Sequence, residues 1–88
     1  MYIHLGNNVM LPTDEIIGIF DLENTSVSKR TRDFLKKAEK QKKVITVSYD
    51  LPRSFVLAAD KNGKNSKIYI SQISSSTLLK RTGYIDSL

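Results

Sequence analysis

The sequence predicts a small α+β domain, in which short β-strands are combined with one basic amphipathic helix and one short C-terminal helix. Two observations lead to this prediction: short apolar runs are separated by turn-forming residues, and one long basic stretch has the apolar spacing of a helix. The length of 88 residues fits one domain spanning residues 1–88. The absence of cysteine excludes disulfides, thiolate ligands and thiol catalysis.

Two apolar runs near the N-terminus predict a small β-hairpin or a bent pair of strands. Tyr2–Leu5 and Val9–Leu11 are separated by Gly6-Asn7-Asn8, a cluster of turn-forming residues. The next apolar run, Glu15–Asp21, is too continuous for a half-exposed strand. It predicts a central strand, and Gly18 within it indicates a bulge or a close approach of another group.

The basic stretch predicts a helix from about Val27 to Gln41, and Asn24-Thr25-Ser26 offers several N-cap residues just before it. The apolar positions recur at spacings of four, seven and eight residues, which places them on one narrow helical face. They are Val27, Phe34, Leu35 and Ala38, with Thr31 completing the turn between them. The rest of the circumference is expected to be solvated and basic.

The second half of the chain predicts three more strands, a hairpin and a short helix. The strands cover Val44–Tyr49, Arg53–Ala59 and Lys67–Ser71. The Asn62-Gly63 pair between the last two is a strong hairpin signal. The run Ser74–Thr77 can cap a helix that continues to about Thr82, and Gly83 suits the position after its end.

The positive charge of the chain is concentrated between Lys29 and Lys43. This stretch holds eight of the fourteen basic residues against two acidic ones, whereas the remainder holds six basic and seven acidic residues. Like charges at i, i+4, such as Arg32 and Lys36, each destabilise an isolated helix by roughly 0.2–0.5 kcal/mol. Repulsion that is retained indicates an anionic partner, with nucleic acid as the leading candidate. A solvated helix face, an acidic protein and a membrane surface are the alternatives.

The residue types favour contact with phosphates over recognition of bases. Lysine is a compact point charge, whereas arginine and amide side chains make the bidentate contacts that distinguish bases. Tyr49 and Arg53 flank the turn at residues 50–52 and are better placed to enter a groove of duplex DNA. The predicted DNA-binding residues are Lys29, Arg30, Arg32, Lys36, Lys37, Lys40 and Arg53.

The chain lacks the residue patterns of an enzyme, and we expect no catalytic residue, metal or cofactor. His4 is the single histidine, and the adjacent carboxylates Asp14 and Glu15 would point to opposite faces of a strand. The serine run has no flanking glycines and no nearby base, so helix capping explains it best. The alternative is a phosphate site at the start of that helix, formed by Ser75, Ser76, Lys80 and Arg81.

Neither a secretory signal nor a membrane span is predicted. The N-terminal residues carry no basic region, and no apolar stretch approaches the roughly 18 residues that cross a bilayer. We therefore expect a cytoplasmic protein without a membrane partner. Small domains without disulfides often gain stability by association, which makes a homo-oligomer the expected state.

Four segments, taken in order, resemble the RemB-like branch of the bacterial Rem family, which regulates extracellular-matrix (biofilm) genes in Gram-positive bacteria. The segments are Tyr2–Gly6, Ile16–Asp21, Asp33–Leu35 and Ile73–Arg81. The resemblance implies a LytTR-like DNA-binding fold. From the RemA-like sister branch it also implies assembly into rings whose rim binds DNA.

The resemblance further implies that basic residues contact DNA in the sister branch, both before the apolar strand and in the loop after the tyrosine. Here Glu15 occupies the first position, and Arg53 is the one arginine of the loop at residues 50–53. Three alternatives follow: the DNA contact has moved to the basic helix, it is weaker, or it is absent.

The sequence thus predicts a non-enzymatic, oligomeric regulator that binds double-stranded DNA mainly through its phosphate backbone. The rival prediction is an accessory protein that docks on an acidic partner or a related DNA-binding regulator, through the same basic patch and an exposed strand edge. A structured-RNA binder is the third alternative, although the chain has no aromatic platform for single strands.

Overall fold

The computed structural model describes residues 1–23 and 28–82 of the chain. The described part contains strands and helices in the mixture that defines an α+β fold, which confirms the predicted fold class. In chain order the elements are β1 (Tyr2–Gly6), β2 (Val9–Pro12), a 3-10 turn (Thr13–Glu15), β3 (Ile16–Asp21), α1 (Lys29–Lys40), β4 (Val44–Thr46), β5 (Ser54–Ala59), β6 (Ser66–Ser71) and α2 (Ser75–Thr82).

The predicted N-terminal hairpin is confirmed. Strands β1 and β2 pair antiparallel, and both residues of the turn, Asn7 and Asn8, have positive φ values of 44° and 66°. Asparagine tolerates this left-handed conformation, as a tight hairpin turn requires. The Asn7 side-chain amide donates a hydrogen bond of 2.8 Å to the carbonyl of Val47, which ties the turn to the rest of the fold.

The remaining strands form one four-stranded sheet in the order β3-β5-β6-β4. Strand β5 runs antiparallel to both of its neighbours, β3 and β6, and β4 lies parallel to β6. The predicted hairpin between β5 and β6 is confirmed, with Gly63 at a φ of 69° in its loop. The carboxylate of Asp60 organises that loop by accepting from the backbone N–H of Lys64 and the side chain of Asn65.

The prediction of a central strand near residue 18 is wrong, because β3 lies at one edge of the sheet. The continuous apolar run therefore does not indicate that the strand is buried on both faces. A bulge between Ile16 and Gly18 interrupts the pairing with β5 and leaves Ile17 63% exposed. The predicted bulge and close approach at Gly18 are confirmed, since a Cβ there would lie 2.8 Å from the ring of Phe20.

The basic helix is confirmed, but it begins later than predicted. Ser28 is the N-cap, and its hydroxyl accepts a hydrogen bond of 3.2 Å from the backbone N–H of Thr31. Its extended backbone, with ψ at 156°, starts the helix at Lys29. The predicted cap residues 24–26 and Val27 lie outside the described residues, as does Gly83.

Strand β4 is shorter than the predicted strand Val44–Tyr49, and the difference has a local cause. The backbone N–H of Val47 still donates to the carbonyl of Ile70 at 2.9 Å. At the next residue, the Ser48 hydroxyl donates to the Gln72 side chain at 2.7 Å and accepts from the backbone N–H of Asp50. These two side-chain bonds turn the chain away from the sheet.

The four-stranded sheet is covered differently on its two faces. The β1–β2 hairpin and α2 cover one face, here named the closed face, where Leu5, Val56 and Leu78 are fully buried. Helix α1 covers part of the other face, here named the α1 face, where Ala38, Phe55 and Ile68 are buried. The fold therefore has three layers, and the basic helix forms one outer layer.

Candidate nucleic-acid interface

Helix α1 carries its charges on the side that faces away from the sheet. The half-buried Leu35 and the buried Ala38 face the sheet, together with Thr31, so the predicted apolar face is confirmed at these positions. Phe34 differs, since it is 45% exposed at the margin of the helix. The predicted DNA-binding residues of the helix are all exposed, namely Lys29, Arg30, Arg32, Lys36, Lys37 and Lys40.

The charge arrangement on α1 is unfavourable for the isolated helix at its N-terminal end. No acidic residue lies in the first turn, where Lys29 and Arg30 approach the positive end of the helix dipole. At the other end, Lys37 and Lys40 interact favourably with the negative end. Anions placed near the first turn would therefore relieve a repulsion that the chain itself leaves in place.

No ion pair among the described residues involves a cation of α1. Among residues 1–23 and 28–82, the ion pairs join Arg53 to Glu23 and Lys61 to Asp14. Neither pair involves α1. The exposed charges of the helix are therefore available to an external polyanion.

The loop at residues 50–53 lies on the same side of the sheet as α1. Pro52 lines one cleft of about 420 Å³ together with Leu35 and Glu39 of the helix. Tyr49 is 97% exposed, as a side chain that enters a groove would have to be. The guanidinium of Arg53, in contrast, donates to the Glu23 carboxylate at 2.9 Å, so it would contact DNA only by sharing or leaving that partner.

Two of the four residues of the alternative phosphate site, Ser76 and Arg81, make contacts within the fold. Ser74 caps α2, because its hydroxyl accepts from the backbone N–H of Thr77 at 3.3 Å. The hydroxyls of Ser74 and Ser76 lie 3.2 Å apart. Arg81 donates to the carbonyl of His4 at 2.8 Å and so fastens α2 to β1. Ser75 begins the helix and Lys80 is exposed.

Glu15 stands at the position where the resemblance implied a basic residue, and it acts on a neighbouring tyrosine. Burial is the larger effect and the Glu15 carboxylate the smaller one, and together they raise the pKa of the Tyr69 phenol. Glu15 and Tyr69 line one small cleft at the hairpin end of the sheet. The carboxylate makes this corner unfavourable for a phosphate.

Two features of the surface are not predicted by the sequence. The first is an apolar surface at the β3 edge, here named the β3-edge patch, formed by Ile17, Phe20 and Phe34. The Phe20 ring stacks on Phe55 at a centroid distance of 4.8 Å and remains 45% exposed. The apolar run itself gave no signal for this patch, because burial of β3 depends on its place in the sheet.

The second feature is a cleft of about 360 Å³ lined by lysines, here named the lysine cleft. It joins the turn after α1 to the β5–β6 hairpin, which are far apart in sequence. Its lysines are Lys42, Lys43, Lys64 and Lys67. Only the pairing of β4 with β6 brings them together, so the linear pattern could not reveal them.

The described residues were also compared with the geometry of metal sites and of membrane-spanning helices. They contain no group of three or more histidine, aspartate or glutamate side chains that could hold a metal ion. No helix in the described part is long and apolar enough to cross a membrane.

Comparison with known proteins places the chain in a family. The RemA-like family, described as extracellular matrix regulatory protein A-like, matches residues 2–82. The chain belongs to this RemA-like family. It is also 40% identical over 85 residues to extracellular matrix regulatory protein B of Bacillus subtilis (strain 168), across 97% of this chain and 94% of that protein. The resemblance to the Rem family, and to its RemB-like branch, is thereby confirmed.

The family match covers both the cationic helix and the two sheet edges of the fold. Residues 2–82 run from β1 to the end of α2. The surfaces described above therefore lie within the residues that the RemA-like family model matches.

Proposed function

We propose that this RemA-like chain regulates extracellular-matrix genes by binding duplex DNA as a homo-oligomer, without catalytic activity and in the cytoplasm. The observation that carries the proposal is the row of exposed cations on α1 without ionic partners among the described residues. Membership of a family of matrix regulators supports the regulatory role. The LytTR-like character and a ring-shaped assembly belong to the same proposal.

The α1 surface is suited to the phosphate backbone of DNA. Its charges are mostly lysines, which contact phosphates as point charges and supply little base recognition. Phosphates bound near Lys29 and Arg30 would also relieve the unfavourable charges at the start of the helix. In this arrangement Tyr49 and Arg53 approach a groove, and the helix supplies affinity that depends strongly on salt.

The two edges of the sheet are suited to joining copies head to tail. Strand β3 is preceded by Asp14 and Glu15, and it carries the exposed Ile17 and Phe20 on an open edge. At the opposite edge, β4 follows the basic turn at residues 42–43 and borders the cleft that Leu35 and Pro52 line.

Charge favours one of the two ways of pairing these edges. A β3 edge against another β3 edge would bring carboxylates together, which is destabilising. A β3 edge against the β4 edge of the next copy brings carboxylates near lysines and apolar side chains near an apolar cleft. Repetition of a weak cationic site in such an assembly would give avidity without strong individual contacts.

Fluorescence anisotropy of a labelled duplex, measured with the full chain across a salt series, tests the DNA contact. We expect the logarithm of affinity to fall linearly with the logarithm of salt concentration. Lys36→Glu should weaken binding to all duplexes alike and reduce the slope. Lys61→Glu is the matched control, because it makes the same charge change at a lysine that already lies 3.8 Å from Asp14.

The accessory-protein alternative is favoured by one observation, the open β3 edge with its exposed apolar side chains. An extended segment of a related regulator could add a strand there. The alternative predicts no DNA binding by this chain alone, even at low salt. It also predicts a stoichiometric complex with a purified RemA-like DNA-binding relative, which mutation of Phe20 would abolish.

A further inference from the structure

The lysine cleft is formed by two segments that the sheet brings together. Strand β4 lies parallel to β6, with Val44 opposite Ile68. The backbone N–H of Ile68 donates to the carbonyl of Lys43 at 2.9 Å. This contact places the turn after α1 beside the start of β6, so Lys43, just before β4, and Lys67, on β6, occupy neighbouring positions. Like charges at such positions repel each other.

Among the residues that the structure describes, no carboxylate lines the lysine cleft itself. Its other lining residues are Asn65 and Ser66. The nearest acidic residue of the hairpin, Asp60, accepts hydrogen bonds from Lys64 N–H and from the Asn65 amide. Slight desolvation opposes its charge, but these bonds outweigh it and hold the pKa of Asp60 below its ordinary value. Glu15 lies in the adjoining cleft, which Lys67 also borders.

Lys42 occupies a backbone position that disfavours any side chain. Its φ is 59°, in the left-handed region, at the point where α1 ends. Glycine is the residue that usually follows a helix in this conformation. Interaction with the negative end of the helix dipole accounts for a cation there. It does not account for Lys64 and Lys67, which belong to a hairpin and not to a helix end.

The lysine cleft is continuous with the surface of α1. It shares Lys43 and Ser66 with the groove that runs between α1 and β3, which Lys37 also lines. A chain of phosphates that follows the cations of α1 toward its C-terminal end therefore reaches the lysine cleft next. The lysine side chains suit phosphate groups, and the cleft contains no arginine for bidentate recognition of a base.

We propose that the lysine cleft is a second phosphate-binding site for the DNA backbone, formed by Lys42, Lys43, Lys64 and Lys67. This inference rests on the proposed function and extends the DNA path from α1 to the β5–β6 hairpin. The DNA backbone is the chosen occupant because the cleft is open to solvent and continuous with the cationic helix. A free polyphosphate has the same chemistry, and the experiment distinguishes the two.

Anisotropy of a labelled duplex across a salt series tests the cleft with the double variant Lys42→Gly/Lys64→Gln. The variant removes one ammonium group from each segment that forms the cleft. We expect the slope of log affinity against log salt to decrease by about two, since each lost phosphate contact lowers it by about 0.9. Because glycine suits the conformation of residue 42, the thermal midpoint should stay equal or rise, so unfolding would not explain weaker binding.

Single variants of the hairpin provide the matched control. Lys64→Gln and Lys61→Gln each remove one positive charge from the same loop, but Lys61 lies outside the cleft near Asp14. We expect the slope to fall by about one for Lys64→Gln and to remain unchanged for Lys61→Gln. Equal effects of the two variants would overturn the assignment, because they would reflect net charge alone.

The outcomes distinguish failure of the lysine-cleft assignment from failure of the proposed function. If the wild-type protein binds DNA and Lys36→Glu weakens it, an unchanged slope for the double variant overturns the cleft alone. No DNA binding by the wild type at low salt overturns both. Calorimetry with tripolyphosphate tests whether the cleft binds a free polyphosphate instead. If the double variant loses tripolyphosphate binding but keeps the wild-type salt slope for DNA, the cleft is a site for free polyphosphate and the DNA assignment is overturned.

Discussion

The closed face and the α1 face of the same sheet differ in how completely they are covered. On the closed face, the β1–β2 hairpin and α2 bury Leu5, Val56 and Leu78 completely. On the α1 face, Phe55 and Ile68 are buried under the helix, whereas the β3-edge patch remains exposed. The closed face therefore resembles the core of a stable monomer, whereas the α1 face resembles a binding surface.

The difference arises from where the single helix lies. Helix α1 packs nearest to β4, at the edge of the sheet opposite β3. Twelve residues present only a narrow apolar stripe, which cannot cover a sheet of four strands. The closed face thus provides the stability, and the α1 face provides both the exposed charge and the exposed apolar surface.

The largest expected effect is a difference in stability between side-chain truncations on the two faces of the sheet. Leu78→Ala on the closed face should lower the free energy of unfolding by about 2–5 kcal/mol, because it removes buried methyl groups and leaves a cavity. Phe34→Ala should lower it much less, because nearly half of that side chain is already solvated. Urea unfolding of both variants measures the contrast, and equal losses would contradict it.

The second expected effect concerns assembly. Replacing both Ile17 and Phe20 with serine should shift the protein to monomers in size-exclusion chromatography with light scattering, because the β3 edge loses its apolar contacts. Met10→Ser is the control, since it removes an exposed apolar side chain from the β1–β2 hairpin on the closed face. Retention of the wild-type mass by the double variant would exclude the β3-edge patch from the interface.

The third effect compares the caps of the two helices. Ser28→Ala and Ser74→Ala each remove an N-cap hydrogen bond, so each should destabilise the protein by about 1 kcal/mol. Only Ser28→Ala should also weaken DNA binding, because Ser28 fixes the first turn of the cationic helix. Thermal unfolding and anisotropy measured on the same samples test this. Similar losses of affinity would indicate a general effect of stability.

The smallest effect on stability is expected at the exposed ion pair. Glu23→Gln removes the ionic partner of Arg53 and should change the free energy of unfolding by less than about 1 kcal/mol, since nearly half of each side chain is exposed to solvent. If Arg53 contacts DNA, the variant should bind more tightly and its salt slope should increase. Weaker binding would show that the pair holds Arg53 in the productive position.

Local patterns predicted most elements because their causes are local. Asn7 and Asn8 specify the hairpin turn through their tolerance of positive φ, and Asn62-Gly63 marks the second hairpin. The spacing of Leu35 and Ala38 gives the buried side of α1. The exact start of the helix does not follow from the sequence, because several residues suited to capping stand in a row; the backbone geometry and hydrogen bond of Ser28 identify it as the N-cap.

The position of β3 could not be predicted, because an apolar run does not reveal which neighbours a strand has. Ile16 and Ile19 pack against the closed-face core, whereas Ile17 and Phe20 are exposed at the edge. The sequence makes these residues look alike. The bulge at Gly18 and the strand order separate them.

By itself, the sequence determined the α+β class, the RemB-like family and the concentration of positive charge on one helix, since composition, periodicity and ordered segments are properties of the linear chain. Only the tertiary structure decided that β3 is an edge, that one face of the sheet remains partly open, and that four lysines from two distant segments share a cleft. The physical reason is that strand pairing acts between residues far apart in the chain. It sets burial and brings charges together irrespective of their spacing in the sequence.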